Sequence, residues 1–183
     1  TLTQYLQELG LNCWDKPFIR SAHALVKAGW GRKNLVPNVS STVFRHPGKM
    51  GLFDDIEWLK MRLCGDWIFY LTLIRGGLVA YNPYAINYYR QHVANTSNNA
   101  QKEDIYYCEF EIVAKRSIAM YAVDEENLKK QEQDLYQHWC SQRGDNKLTE
   151  FQQLYNFERC TLNSKKRKPN LLMAVYALAA GGG

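Results

Sequence analysis

Apolar positions recur along this chain with two different periods, and the clearest helical stripe lies near the middle. Trp67, Tyr70, Leu71 and Ile74 fall at i, i+3, i+4 and i+7, the spacing of one face of an amphipathic helix. Gly65 interrupts the chain before that stripe, Asp66 stands where an N-cap belongs, and Gly76-Gly77 closes the far end. Upstream, residues 2–9 and 17–28 carry shorter helical patterns, the second with Phe18, Ala22, Leu25 and Val26 on one face. Val39–Phe44 is rich in β-branched residues and runs to Pro47-Gly48, which predicts a strand followed by a turn. Residues 53–63 predict a helix, with Phe53, Ile56 and Lys60 on one side and Trp58 and Leu59 on another. Leu78–Tyr81 and Ala85–Tyr89 predict two short strands about an Asn82-Pro83 turn.

Beyond a polar loop at 95–99 the period settles at 3.6, and helices are expected from 102 to about 157. Tyr106, Phe110, Val113, Ser117 and Met120 form one stripe and Leu128, Leu135 and Trp139 another, with Asp124 placed to cap the second helix and Gly144 to end it. After a basic run at 165–168 comes a continuous apolar stretch, Asn170 to Tyr176, and then Gly181-Gly182-Gly183. An apolar strand leading into a glycine loop is how many nucleotide-binding α/β domains begin, although the glycines could equally be a cloning remnant. The pattern as a whole predicts an α+β, mainly helical fold with few short strands. It divides into residues 1–100, a helical extension over 101–164, and a basic linker with the first strand of a following domain over 165–183.

Composition narrows the class without naming a function. A chain of 183 residues, 46% of them hydrophobic and 22% charged, can bury one ordinary core. The 12 Tyr, 7 Phe and 5 Trp suit half-buried clefts as well as cores. The formal charge of +5 owes much to Lys165, Lys166, Arg167 and Lys168; a run without interleaved aromatics, next to Pro169, reads as a solvated linker rather than a nucleic-acid site. Cys13, Cys64, Cys108, Cys140 and Cys160 are scattered and odd in number, which predicts reduced, mostly buried thiols in place of a zinc site or a disulfide framework. The longest apolar run has half the roughly twenty residues that a membrane helix needs. With no stretch that reads as a signal peptide, the expected place is the cytoplasm or the inner face of a membrane.

Two constellations could carry chemistry. Asp66 is either a plain helix cap or a general base, since backbone N–H groups and the helix dipole would orient a carboxylate there. Arg90 and His92 would project to one side of an extended backbone. A guanidinium for phosphate beside an imidazole for a divalent metal suits a nucleotide diphosphate, and a structural histidine is the plain alternative. Asp54, Asp55 and Glu57 stand beside helix-like sequence and read as dipole partners. A Gly-rich phosphate loop and an H-E-x-x-H motif are both missing.

Taken together these segments resemble the C-terminal half of a family 2 glycosyltransferase catalytic domain, of the GT-A type. Asn34-Leu35-Val36-Pro37-Asn38-Val39-Ser40-Ser41-Thr42-Val43-Phe44-Arg45 is similar to the family's Asn-x-Ser-x-x-x-Phe-Arg segment. Cys64-Gly65-Asp66-Trp67 is similar to its Gly-Asp-Trp segment, and Ala80-Tyr81 through Tyr89-Arg90-Gln91-His92 to its Tyr-Arg-x-His ending. The resemblance implies an inverting transfer from a nucleotide-sugar donor to a glycan or other hydroxyl acceptor, as in bacterial surface polysaccharide synthesis. It implies Asp66 as the base, Trp67 lining the acceptor side, His92 at the divalent metal or diphosphate, and Arg90 nearby. Asn38 and Ser40 would contact substrate or only support the sheet.

The departure is as informative. The family holds Mn²⁺ or Mg²⁺ with an Asp-x-Asp motif on an N-terminal nucleotide-binding half, and no Asp-x-Asp occurs in this sequence. The implied metal therefore belongs to a full-length enzyme, none is expected bound to this piece, and the piece is expected to be inactive alone. Lys168 to Tyr176 with the terminal glycines resembles the opening of a family 4, GT-B type glycosyltransferase domain. A competing reading is a non-catalytic helical interaction or dimerisation module, and bare strand edges would favour a homo-oligomer.

Overall fold

A computed structural model describes residues 14–36, 38–46, 58–85, 87–88, 103–144 and 147–166. Its regular elements are β1 (Phe18–Ser21), α1 (Ala22–Leu25), α2 (Gly65–Leu73), β2 (Leu78–Tyr81), α3 (Asp104–Tyr121), α4 (Glu125–Arg143), α5 (Leu148–Leu154) and α6 (Phe157–Lys166). The described chain is mainly helical, with one two-stranded antiparallel sheet in the register Phe18↔Tyr81, Ile19↔Ala80, Arg20↔Val79 and Ser21↔Leu78.

The sheet corrects the helix expected over 17–28. Phe18 lies against Trp14 and Tyr81, ring centroids 5.4 and 5.2 Å away, and the Tyr81 hydroxyl donates to the Trp14 carbonyl at 3.1 Å. Aromatic cross-strand packing of this kind outweighs a weak helical pattern. Ser21 then accepts the Ala24 N–H at 3.2 Å as a true N-cap, so helix begins only at Ala22 and passes into a wider π turn over Val26–Trp30.

The strand expected over 39–44 is also absent. Asn38 Oδ1 accepts from Ser40 N at 3.1 Å, Ser41 Oγ donates to Asn38 O at 2.6 Å, and Thr42 Oγ1 donates to Val39 O at 2.8 Å. Short polar side chains closing on nearby backbone make a 3₁₀ turn at Val39–Ser41 and displace the β-branched preference. Among residues 58–63, expected as helix, only a 3₁₀ turn forms at Trp58–Lys60, and the described residues 85, 87 and 88 are not strand. Readings at 2–9, 47–48, 53–57, 89–99 and 167–183 lie outside the described residues.

The second half follows its periodicity closely. α3 ends on Ala122 in the left-handed region (φ 51°), and Asp124 occupies the N-cap position of α4, so the two helices fold back as a hairpin. Gly144, at φ 64°, ends α4 where a side chain would be strained. The hairpin buries Tyr107, Val113, Ala114, Ser117 and Tyr121 against Leu128, Leu135 and Trp139, and α5 and α6 add Phe151, Tyr155 and Cys160. The stripe reading of α3 was narrower than the real face. Val113 and Ser117 are buried, but Tyr106, Phe110 and Met120 are only half-buried, because α3 packs against α2 on one side and α5 and α6 on another. α6 continues to Lys166 and so takes in the first two lysines of the basic run.

Within that core lies an ion network. Glu111, 6% exposed, accepts from Arg159 Nε at 2.8 Å, from Lys115 Nζ at 2.6 Å and from Asn156 N at 3.0 Å. Burial opposes its ionisation, yet these donors outweigh burial and hold the carboxyl below its usual range.

α2 joins both halves. Its Trp67, Ile68, Tyr70 and Leu71 are buried. The Trp67 indole donates to Trp30 O at 3.0 Å and meets Phe110 edge-on at 5.4 Å, while the Tyr121 hydroxyl donates to Leu71 O.

Candidate functional site

The turn that leads into α2 places Asp66. No side chain caps this helix in the ordinary way, and the N-cap position belongs to Cys64. Glu109 on α3, 3% exposed, reaches across instead. Its carboxylate accepts three consecutive backbone N–H groups, from Arg62 at 2.6 Å, Leu63 at 2.9 Å and Cys64 at 2.8 Å. Gly65 follows, and a Cβ there would stand 2.3 Å from the Trp58 carbonyl oxygen, so only glycine lets the chain pass. With those groups satisfied from behind, α2 starts at Gly65, two residues earlier than an N-cap at Asp66 predicts. Asp66 therefore sits in the first turn of the helix rather than at its cap.

The Asp66 side chain is exposed, yet desolvation by its surroundings holds the carboxyl above the ordinary aspartate range. Bonds from the backbone N–H groups of Trp67 and of Asp66 itself oppose that rise without cancelling it. A raised pKa makes this carboxylate a better proton acceptor than free aspartate. Two neighbours feel its charge. The Cys64 thiol is pushed well up by burial, then by Glu109 and Asp66, and the Tyr70 hydroxyl is pushed up by burial and by Asp66. Tyr70 lies one helical turn on, 2% exposed. Its buried oxygen has no hydrogen-bond partner of good geometry, and the Thr42 hydroxyl is the polar group beside it.

The remaining expected residues divide sharply. Asn38 and Ser40 are brought together and tied to Asn87: Asn38 Nδ2 donates to Asn87 Oδ1 at 3.2 Å, and Asn87 Nδ2 donates to Ser40 O at 3.1 Å. The 38–42 turn thus flanks α2 through Thr42 and holds residue 87 of the segment that leads toward Arg90 and His92. Arg90 and His92 themselves lie outside the described residues. Trp67 is 1% exposed, its indole tied to Trp30 O and its ring set edge-on against Phe110. Among the described residues no three His, Cys, Asp or Glu side chains gather as metal ligands.

On the far side of the same turn is a cleft of about 890 Å³ between residues 32–34, α3 and α4. Trp67, Tyr106 and Phe110 line it, with Arg32, Asp134 and His138 among its polar groups. Arg32 Nε donates to Asp134 Oδ2 at 3.0 Å, and Gln131 Nε2 donates to Arg32 O at 2.7 Å, so the wall is fixed to α4. The His138 Nδ1 lies 3.1 Å from the Tyr107 hydroxyl, and burial lowers the imidazole's pKa. Asp66 is not part of this lining.

Sequence reasoning missed Glu109, Tyr70 as a neighbour of Asp66, and the cleft. A signal for the first existed: Glu109 and Glu111 stand on a helix within an apolar pattern, where a carboxylate stays only if it is paired. Among the described residues no helix is long and apolar enough to cross a membrane. No family model, curated protein or solved structure matches the chain.

Proposed function

We propose that this chain is the acceptor-side part of a glycosyltransferase that moves a sugar from a nucleotide-sugar donor to a hydroxyl acceptor with inversion. The observation that supports the reading is Asp66 itself: an exposed carboxylate with raised basicity, fixed at the start of a rigid helix between three segments that resemble family 2 motifs in their order. In the reaction, Asp66 removes the proton of the acceptor hydroxyl as that oxygen bonds to the anomeric carbon. The bond from that carbon to the donor's diphosphate breaks, and its electron pair leaves with the nucleoside diphosphate. Asn38, Ser40 and Asn87 shape the neighbouring turn. Arg90 and His92 would approach the diphosphate, and the Mn²⁺ or Mg²⁺ that neutralises its charge would be held mainly by acids of a nucleotide-binding half.

The test is Asp66→Asn in the protein that carries both halves. Turnover should fall on the order of 10²–10⁴-fold while donor affinity, measured by calorimetry with a uridine diphosphate sugar and Mn²⁺, stays nearly constant. Retained turnover would remove Asp66 from the role of base. An interaction module is the second reading, and the outer face of the sheet favours it. Ile19 and Leu78 are 70% and 73% exposed there, an apolar pair suited to a covering partner such as a nucleotide-binding half or a second copy. A coding sequence in which this segment begins the natural protein would favour that second reading over the enzyme.

A further inference from the structure

We propose that Glu109 is a positioning residue for Asp66, its buried carboxylate fixing the backbone turn from which Asp66 is presented. The proposal rests on the reading of Asp66 as a base, and its geometry is independent of that reading. Residues 62–67 form one continuous turn held from two sides. From the inside, Glu109 takes the N–H groups of Arg62, Leu63 and Cys64. From the outside, Asp66 takes its own N–H and that of Trp67. Both Glu109 oxygens are used, Oε1 once and Oε2 twice, so three donors meet an acceptor-only group. A glutamine would turn an NH₂ toward at least one of those N–H groups.

A structural role alone does not account for where this bond set falls. Glu109 supplies no cap to the helix it belongs to, and it does not bond within the α3–α4 hairpin. Its partners are the three residues just before the helix that carries Asp66, some 45 positions away in the chain. Around that point every other anchor is also rigid: Gly65 is wedged beneath the Trp58 carbonyl, and Trp67 is tied to Trp30 O and packed on Phe110. The Arg62 guanidinium is also paired with Glu103, at 2.7 Å, but among the described residues Glu109 is the side chain that takes the backbone N–H groups of 62–64. Without it those three N–H groups lose their acceptor, and the entry to the helix that presents Asp66 is set by Gly65 and Trp67 alone. A displacement of about 1 Å at a reacting group can cost on the order of 10²-fold in rate.

Glu109→Gln tests the inference in the folded protein through the titration of the Asp66 carboxyl, followed by carbon-detected NMR. The titratable groups that feel its charge are Cys64 and Tyr70. The amide protons of Arg62, Leu63 and Cys64 report whether the bonds are lost. The expected result is that these amides move upfield and the Asp66 midpoint drops toward the ordinary aspartate value. Changed amides with an unmoved Asp66 midpoint would overturn the proposal, because the turn would then be held without Glu109. Should Glu109→Gln fail to fold, Glu109→Asp, which keeps the charge and shortens the reach by one methylene, is read the same way. Where transfer can be followed, the same variant should lower kcat on the order of 10²-fold with little change in KM. An Asp66 midpoint that moves, together with full turnover in Asp66→Asn, would keep the positioning and discard the base.

Discussion

The two halves of the described chain hold themselves together by different means. The described residues from 103 to 166 form a helical unit whose side chains at helical spacing meet one another, and whose buried Glu111 is paired inside it with Arg159 and Lys115. The described residues between 14 and 88 are mostly turns, one short sheet and two helices, α1 and α2. Their backbone groups are satisfied piecemeal, by Ser21, Asn38 and Thr42 locally and by Glu109 and Gln131 lent from the helical half. Stability is therefore expected to reside in the second region and chemistry in the first, which fits the usual division between scaffold and loops.

The largest test of that division is Trp139→Ala on α4. The ring is fully buried against Phe151, and its loss should cost about 3–5 kcal/mol in denaturant unfolding. Ile19→Ser on the open face of the sheet should stay within about 0.5 kcal/mol. Equal effects would erase the contrast.

Next comes Glu111→Gln, which leaves the half-exposed Arg159 and Lys115 facing an amide and should cost about 1–3 kcal/mol in lost charge-assisted hydrogen bonds. The pH dependence has a definite sign. The folded carboxyl binds its proton less readily than the unfolded chain does, so the contribution is complete above the ordinary glutamate range. It is lost as pH falls through the lowered folded value. Unfolding measured from neutral pH downward should show a shallower acid limb in Glu111→Gln than in the parent.

A smaller change separates site from scaffold. Gly65→Ala forces a Cβ onto the Trp58 carbonyl and should cost about 1–3 kcal/mol. Its signature is a shift in the Asp66 titration, with the α3–α4 amides left in place in NMR spectra.

The smallest pair has opposite signs. Gly144→Ala strains the left-handed end of α4 and should lose about 1 kcal/mol, whereas Ala122→Gly relieves the same conformation after α3 and should gain about 0.5 kcal/mol. Thermal unfolding distinguishes the two.

How much of this was legible follows the same division. Leu128, Leu135 and Trp139 are spaced as they pack, and Gly144 ends α4 as its chemistry suggests, while Asp124 holds the N-cap position without a side-chain cap bond. Local pattern suffices where partners are other helices of the same unit. Val39–Phe44 looked like a strand because its side chains are β-branched. What decides that segment is Asn38, Ser41 and Thr42 bonding to backbone within three residues, together with the want of a neighbouring strand. Val43 is fully exposed. Phe18 was read on a helix face because its real partners, Trp14 and Tyr81, make one contact nearby and one 63 positions away. Asp66 was found from sequence because a helix start is a local event. Glu109 was not, since an acid in an apolar helical pattern shows only that something must pair with it, never what.

The ties between Arg32 and Asp134, Gln131 and the Arg32 carbonyl, and Asn127 and the Lys27 carbonyl span 99 to 102 positions. They set an order of assembly. During synthesis the segment with Trp30 leaves the ribosome about a hundred residues before α4 exists to receive it, an interval of roughly 5–20 seconds at ordinary elongation rates. Until the α3–α4 hairpin closes, Leu25, Val26 and Trp30 have no completed surface to cover them. The early half of this chain waits on the late half, and its aromatic residues are the ones left in water meanwhile.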